Sequence, residues 1–444
     1  MKKGKSITLL SIIGVIMAFL LVITFLQFPF GAKENFTGIL GGIDLDYSLA
    51  GGTSYTLTLD DDGEDVEDVQ AVADTIGYRL RELGYQDYSI KFSKSNVEGV
   101  KDYDIIIETR GVLDESGREQ RDKLNSDIQV AAAYGEIKIF AGEAENPTEQ
   151  VLEDVKVIKD AAYVGKYTDE QQVVHYQVLI TFTDEAYEFI KSGLEKGTFY
   201  MKVALGDEEL LSGAEPLDLE YFVDRSIAFT TTDETTAQQM ALKIKTGGLA
   251  YKYTVSNGVS VTSPYGENVA TKSAIVIGAL LLVLAVAFVV LYKGYGIISG
   301  VSLIAFTLVE LLMLIAVPNI RLAIGGVIGM AIALVLCADG MLVLSKRFSE
   351  EYASGKTVKA CIKAGFKRSL APVLFVCGTA IVISLLTFAF GFGSLRNFGI
   401  VLGIGSAIAI VINLLFVRLL IALFLPLLKK PEAFLNLKRD EEVA

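Results

Sequence analysis

Tryptophan is absent, histidine occurs once, and only three cysteines and eight prolines are spread over 444 residues. A single histidine, with no cysteine in the acidic part of the chain, leaves too few ligands there for a zinc site. It also leaves no partner for a cysteine–histidine dyad. His175 lies in the alternating stretch QQVVHYQVLITF and reads as a packed or surface strand residue. Cys337, Cys361 and Cys377 all fall in the C-terminal part, which excludes a disulfide scaffold. The phosphate-cradling pattern G-x-x-x-x-G-K-[ST] is missing too. Any work the protein performs would therefore draw on an ion gradient or on a partner. No catalytic constellation is visible, so neither enzyme activity nor a cofactor or metal is expected.

Basic charge is scarce where acidic charge is abundant. Residues 29–270 hold 45 of the 53 Asp and Glu but 21 of the 40 Lys and Arg, a net −24, while the remainder carries +11. Such an acidic segment would repel phosphate, so a nucleic-acid partner is disfavoured. What the chain has in excess is apolar sequence: 52% of residues are hydrophobic and 21% charged.

The apolar residues are concentrated in runs. Residues 7–28 are long enough to cross ~30 Å of hydrocarbon, and Lys2, Lys3 and Lys5 precede them. A cleaved signal peptide is the competing reading, but the run is long and no A-x-A site follows. Five further spans are expected at 273–292, 297–317, 322–345, 371–390 and 397–426, the fourth of these opening at Pro372. The loop 346–370 carries Lys346, Arg347, Lys356, Lys359, Lys363, Lys367 and Arg368 against Glu350 and Glu351, which predicts a cytoplasmic loop. Counting from it, both termini lie inside and the acidic segment outside. The expected division is an N-terminal transmembrane helix (1–28), an extracytoplasmic domain (29–270), a five-helix transmembrane domain (271–428) and a cytoplasmic tail (429–444).

The acidic segment reads as α+β. Strands are expected at 53–59, 88–93, 103–109, 136–140, 171–182 and 198–204, and helices at 66–84, 117–128, 184–195 and 233–246. Ser116 and Glu119 fit a capping box, and Gly247-Gly248 a helix stop. The acidic run 60–68 reads as a solvated turn leading into a helix rather than as a calcium loop, because its ligand spacing is irregular. The fold class is thus a polytopic α-helical membrane protein with six transmembrane helices and a large extracytoplasmic α+β domain of ferredoxin-like, split βαβ lobes.

Ionisable residues inside the spans are the sharpest signal, since such residues are usually paired or functional. Asp339 lies seven residues before Lys346, roughly 10 Å from the cytoplasmic edge. Glu310 lies nearer the outer edge, and Arg418 in the last span. Asp339 is either a proton-binding carboxylate or half of an ion pair with Arg418 or Arg347, and Glu310 carries the same two readings. Gly399, Gly403, Gly405, Ala407 and Ala409 give small faces suited either to bundle packing or to a partner.

Several stretches together resemble the SecD family of protein-export subunits, within the resistance–nodulation–division group. Asp44 and Gly51-Gly52-Thr53 match a G-[LI]-D-L-x-G-G-T pattern with extra residues between, and ALKIKTGGL (241–249) is similar to A-L-x-x-G-A-L. DGMLVLSKRFSEEYASGK (339–356) resembles D-A-N-V-L-I-x-E-R-I-R-E-E followed by G-K, and GFKR (365–368) follows. FGFGSLRNFG (390–399) and FVR (416–418) resemble two later motifs. Asp339 falls on the family's membrane aspartate and Arg347 on a family arginine.

The resemblance implies an accessory subunit at the bacterial plasma membrane. It would work with SecF, the SecYEG channel and SecA, and its external domain would handle emerging preproteins. Proton entry would be coupled through the membrane carboxylates, with Asp339, Arg347 and Arg418 on family motifs and no cofactor; Glu310 matches no family position and is expected to join the proton route as a compensating acid. The chain departs from the family at Gly340-Met341, where Ala-Asn is usual, and at Phe375, Val376 and Cys377, which replace a second D-A-N. Two other readings stay open: a non-energised scaffold of the translocon, and half of a proton-driven lipid or drug exporter.

Overall fold

The computed structural model describes the chain apart from residues 1–2, 27, 31–33, 37, 61–68, 86, 95–102, 111–120, 144–146, 148–156, 170–171, 198, 206–207, 213–215, 219–221, 250, 318–319 and 439–444. The expected capping box at Ser116 and nearly all of the acidic run 60–68 lie outside the described residues. The chain forms two compact units, residues 52–261 and residues 1–51 with 262–444. Helix α1 (Lys3–Phe25) opens the second of these, with Leu10, Ile13 and Met17 packed on its core.

Among its described residues, unit 52–261 contains three sheets. In the first, β1 (Gly52–Leu59) is followed by α2 (Val69–Glu82), β2 (Tyr88–Lys94), β3 (Tyr103–Thr109) and α3 (Arg121–Ala131). The alternation read from the sequence turns Tyr55 and Leu57 of β1 and Ile105 and Ile107 of β3 inward. They meet Val72, Ile76 and Leu80 of α2 and Leu124 and Ile128 of α3.

The chain then builds β4 (Ile137–Gly142), β5 (Ile158–Thr168), β6 (Val174–Phe182), α4 (Asp184–Leu194), β7 (Phe199–Leu205), β8 (Ser226–Thr231) and α5 (Glu234–Thr246). It returns with β9 (Tyr253–Val255) and β10 (Val259–Val261). The first sheet has the antiparallel order β9–β1–β3–β2, with β10 also on β1, so its outer strand comes from the far end of the unit. The other two sheets share one core, in which Ile180 and Phe182 of β6, Ile190 of α4, Val203 of β7 and Ile244 of α5 are buried.

Strands β5, β8, β9 and β10 were not expected. In β5 the alternation is broken by two bulges, between Ile158 and Asp160 and between Tyr163 and Gly165. The last two are only three residues each. His175 sits on β6, its Nε2 2.9 Å from Asp169 Oδ2 and its ring stacked on Tyr167.

Arg79 of α2 is fully buried yet meets no carboxylate among the described residues. Its guanidinium donates to the carbonyls of Ala131 (2.8 Å), Ala133 (3.1 Å) and Gly247 (2.5 Å) and to Thr246 Oγ1 (3.1 Å). These acceptors end α3 and α5, where the helix dipoles favour a cation. Burial pulls its pKa down to about 10, so it remains charged at neutral pH.

Five described helices are long and apolar enough to cross a membrane: α1, α6 (Val269–Ala316), α7 (Ile324–Ala353), α8 (Val358–Phe390) and the stretch Gly393–Leu427. The last comprises α9 (Gly393–Val411), a π-turn (Ile412–Phe416) and α10 (Val417–Phe424). A straight α6 of 48 residues would be ~72 Å long, more than twice a bilayer core. It is not straight. Lys293 has φ 53 and ψ −121, and the chain doubles back there. A Cβ on Gly296 would lie 2.0 Å from the Phe288 carbonyl oxygen, and one on Gly300 would lie 3.6 Å from the Ala285 methyl. The glycine at 296 is what permits so tight a return.

Helix α8 differs from the expected span. It begins at Val358, capped by Thr357, and runs through Pro372 instead of starting there. Its early turns are held by packing: Cys361, Gly365 and Phe366 are buried, and Phe366 meets Phe348 of α7 edge-on. That packing offsets the hydrogen bond the proline cannot make.

Replacing Arg79 by Met should leave several buried carbonyl oxygens without a donor and destabilise unit 52–261 by about 2–4 kcal/mol. Thermal unfolding of the purified chain, followed by proteolysis within this unit, measures it.

Candidate functional site

The start of α7 is fastened by side chains from two distant segments. Ala323 N donates to Asn397 Oδ1 (2.9 Å), Ile324 N to Ser48 Oγ (2.9 Å) and Gly325 N to Ser394 Oγ (2.8 Å). Asn397 Nδ2 donates to the Arg321 carbonyl at 2.6 Å, and Ser48 is itself held by Asp46. The first orphan donors of the helix are therefore satisfied. Asp44 takes part through its backbone: its carbonyl accepts from Leu322 N at 2.7 Å while its side chain is exposed. Gly51 has φ 78 at the end of the short helix Tyr47–Ala50. A Cβ on Gly52 would lie 2.3 Å from the Thr109 carbonyl oxygen, and Thr53 is buried on β1. These motif positions shape backbone and caps.

The cap fixes which way α7 presents Asp339. Ile328, Ile332, Val335, Asp339 and Leu342 recur at intervals of three and four and are all exposed, so the carboxylate sits in an outward apolar strip. Asp339 makes no ion pair or hydrogen bond among the described residues. Arg347 pairs instead with Glu350 at 2.6 Å. Arg418, on α10, is exposed, with its guanidinium 5.8 Å from the centre of the Phe366 ring. The structure brings neither arginine to Asp339 or Glu310.

Glu310 faces the other way. It is 1% exposed, on the second arm of α6, and its Oε1 has no hydrogen-bond partner among the described residues. A Cβ on Gly405 of α9 would lie 2.5 Å from that oxygen and 2.4 Å from the Ala333 methyl of α7. The absent side chain at 405 is what houses the carboxyl.

A polar residue that sequence reasoning missed lies deeper in the same interior. Asn413, in the π-turn, donates from Nδ2 to the carbonyls of Cys337 (3.1 Å) and Ala409 (3.0 Å), while its Oδ1 is buried and unpartnered. A Cβ on Gly340 would be 2.5 Å from its amide nitrogen, so the departure to Gly at 340 makes room for this amide. An Asn within an apolar run was the available signal.

Gly399 and Gly403 pack against α8. Ser384 Oγ donates to the Gly399 carbonyl at 2.6 Å, and a Cβ on Gly403 would lie 2.2 Å from that hydroxyl. This face therefore serves the bundle of its own chain. At the other end of α7, the buried carboxylate of Glu351 is held by Lys356 and Arg368, which ties together the EE, GK and GFKR stretches. The replaced D-A-N positions differ in placement, with Phe375 exposed and Cys377 buried. Among the described residues no group of three His, Cys, Asp or Glu could hold a metal ion.

Replacing Asn397 by Ala should release the Ala323 N–H and the Arg321 carbonyl and destabilise the bundle by about 1–2 kcal/mol. Thermal unfolding of the full chain in detergent reads the loss.

No protein-family model matches the chain. Protein translocase subunit SecD of Dictyoglomus turgidum is 29% identical over 211 residues, 47% of this chain and 52% of that protein. Protein translocase subunit SecDF of Brucella abortus is 26% identical over 401 residues, 86% of this chain and 51% of that protein. The chain thus spans about half the length of each relative. Among solved structures, SecDF in its super-membrane-facing form superposes with a TM-score of 0.68 at 16% identity, covering 95% of this chain and 57% of that one. The chain is similar in sequence to the protein translocase subunits SecD and SecDF, and it shares the SecDF fold.

Proposed function

We propose that the chain is one half of a proton-coupled accessory unit of protein export, completed by a SecF-type second half. The observation that carries this reading is Asp339: an exposed carboxylate in an apolar strip of a membrane helix, with no cation beside it among the described residues. Hydrocarbon would charge ~2.5–3.5 kcal/mol for that arrangement, so a protein surface with polar groups should cover the strip. Matching about half of a SecDF supports the same reading, because the other half of such a protein is available to supply that surface.

The return at Lys293 supports six membrane spans, with two of them in α6. The order β9–β1–β3–β2, with α2 and α3 against the sheet, supports a ferredoxin-like lobe. The basic loop 346–370 supports cytoplasmic termini and tail, and an extracytoplasmic domain over about 29–270, in a bacterial plasma membrane. There the domain would handle preproteins leaving SecYEG, driven from inside by SecA. Proton exchange at Asp339 would drive the cycle, with Arg347 and Arg418 among the basic groups toward the cytoplasmic end. A non-energised scaffold is the second reading, favoured by the loss of one acidic and two amide positions at 340–341 and 375–377.

In a strain lacking this chain, wild type should restore export of a slowly secreted reporter, and Asp339→Asn at matched levels should not. Full rescue by Asp339→Asn would leave the scaffold reading.

A further inference from the structure

We propose that Glu310 is a second proton-binding carboxyl, enclosed within the bundle of this chain and separate from the outward-facing Asp339. The inference rests on the reading of the bundle as membrane-embedded.

Glu310 lies where the second arm of α6 meets α7 and α9. Ala333 of α7 and Gly405 of α9 bound its Oε1, and neither offers it a hydrogen bond. Among the described residues no charged side chain pairs with it from α7, α8, α9 or α10; the titratable neighbour on α7 is the buried thiol of Cys337, one turn from Ala333. A bare carboxylate has nothing there to replace its water, whereas a protonated carboxyl carries no charge to compensate. A metal cation would require several converging oxygens, and two of the three walls are apolar.

The surroundings are also unusual in how many polar atoms they leave unsatisfied. Ser299 lies eleven residues before Glu310 on the same line of α6, ~16 Å along the axis, and its hydroxyl is buried without a partner. Ser406 follows Gly405 on α9 and lies seven residues before Asn413 of the π-turn; Ser406 Oγ and Asn413 Oδ1 are buried and unpartnered. Buried polar atoms are rarely left unpaired, so four of them spread along these packed helices require an explanation. A proton delivered to and taken from Glu310 past these groups supplies one. The π-turn that carries Asn413 fits as well, since such turns are frequent at functional sites.

The two carboxyls also differ in depth. Glu310 stands level with Ala333, and Asp339 is six residues further along α7, ~9 Å. Six residues also carry Asp339 about 120° around α7 from Ala333, so Glu310 lies toward the chain's own interior and Asp339 away from it.

Infrared difference spectra of the purified full chain in lipid test this directly. At neutral pH, wild type and Asp339→Asn should both show a protonated-carboxyl stretch that is lost in Glu310→Gln. The band should shift within minutes of transfer to heavy water, and it should diminish reversibly on going to alkaline pH. Gly405→Ala, which places a methyl where the carboxyl sits, should shift the band if Glu310→Gln itself folds poorly. Loss of ionised-carboxylate bands, rather than the protonated stretch, in Glu310→Gln would overturn the proposal. So would a protonated band that neither exchanges nor titrates, since that describes a permanently neutral structural acid. The readout does not depend on secretion, so it stands or falls apart from the export reading.

Discussion

A carboxylate in hydrocarbon must be paired, covered or protonated, and that constraint organises the membrane unit of this chain. Glu351, in the basic stretch 346–370 beyond the apolar part of α7, is simply paired, enclosed between Lys356 and Arg368. Glu310 is enclosed without a cation among the described residues. Asp339 is neither paired nor enclosed within this chain, and it stands among exposed Ile332, Val335 and Leu342. Three acids near one helix thus occupy three electrostatic situations, and the proposed function follows from the one that is left incomplete.

The presentation of these groups depends on details far from them. Because Asn397, Ser48 and Ser394 cap α7, its rotation is set at its first turn and carried to Asp339 about four turns on. Glycine then decides what fits the interior. Gly405 admits the Glu310 carboxyl, Gly340 admits the Asn413 amide, and Gly296 admits the tight return of α6. The buried Arg79 plays a comparable part in unit 52–261, joining the ends of two helices without a carboxylate among the described residues.

Much of this was legible in the sequence, for physical reasons that differ by element. The long apolar helices and the strands β1, β3 and β6 were readable because hydrocarbon length and period-two alternation write themselves into composition. The chain return at Lys293 was anticipated between two apolar runs. The start of α8 was misplaced because Pro372 resembles a first-turn proline, while the packing of Phe366 on Phe348 that carries the helix past it is tertiary. Asp339 and Glu310 stood out as acids in apolar runs, but their different facing did not. A helix apolar on all sides gives no moment from which to choose an inner face. The α7 cap joins residues 48, 323–325, 394 and 397, which no local pattern connects.

The central claim is that a second protein half covers the Asp339 strip. Single cysteines at Val335 and Leu342, introduced into the chain with its native cysteines replaced, test this by crosslinking in native membranes. The account predicts a specific adduct with a SecF-type partner at both positions and none at exposed Ile275 on α6. Reaction of both strip positions with lipid-dissolved maleimide alone, with no protein adduct, would contradict it.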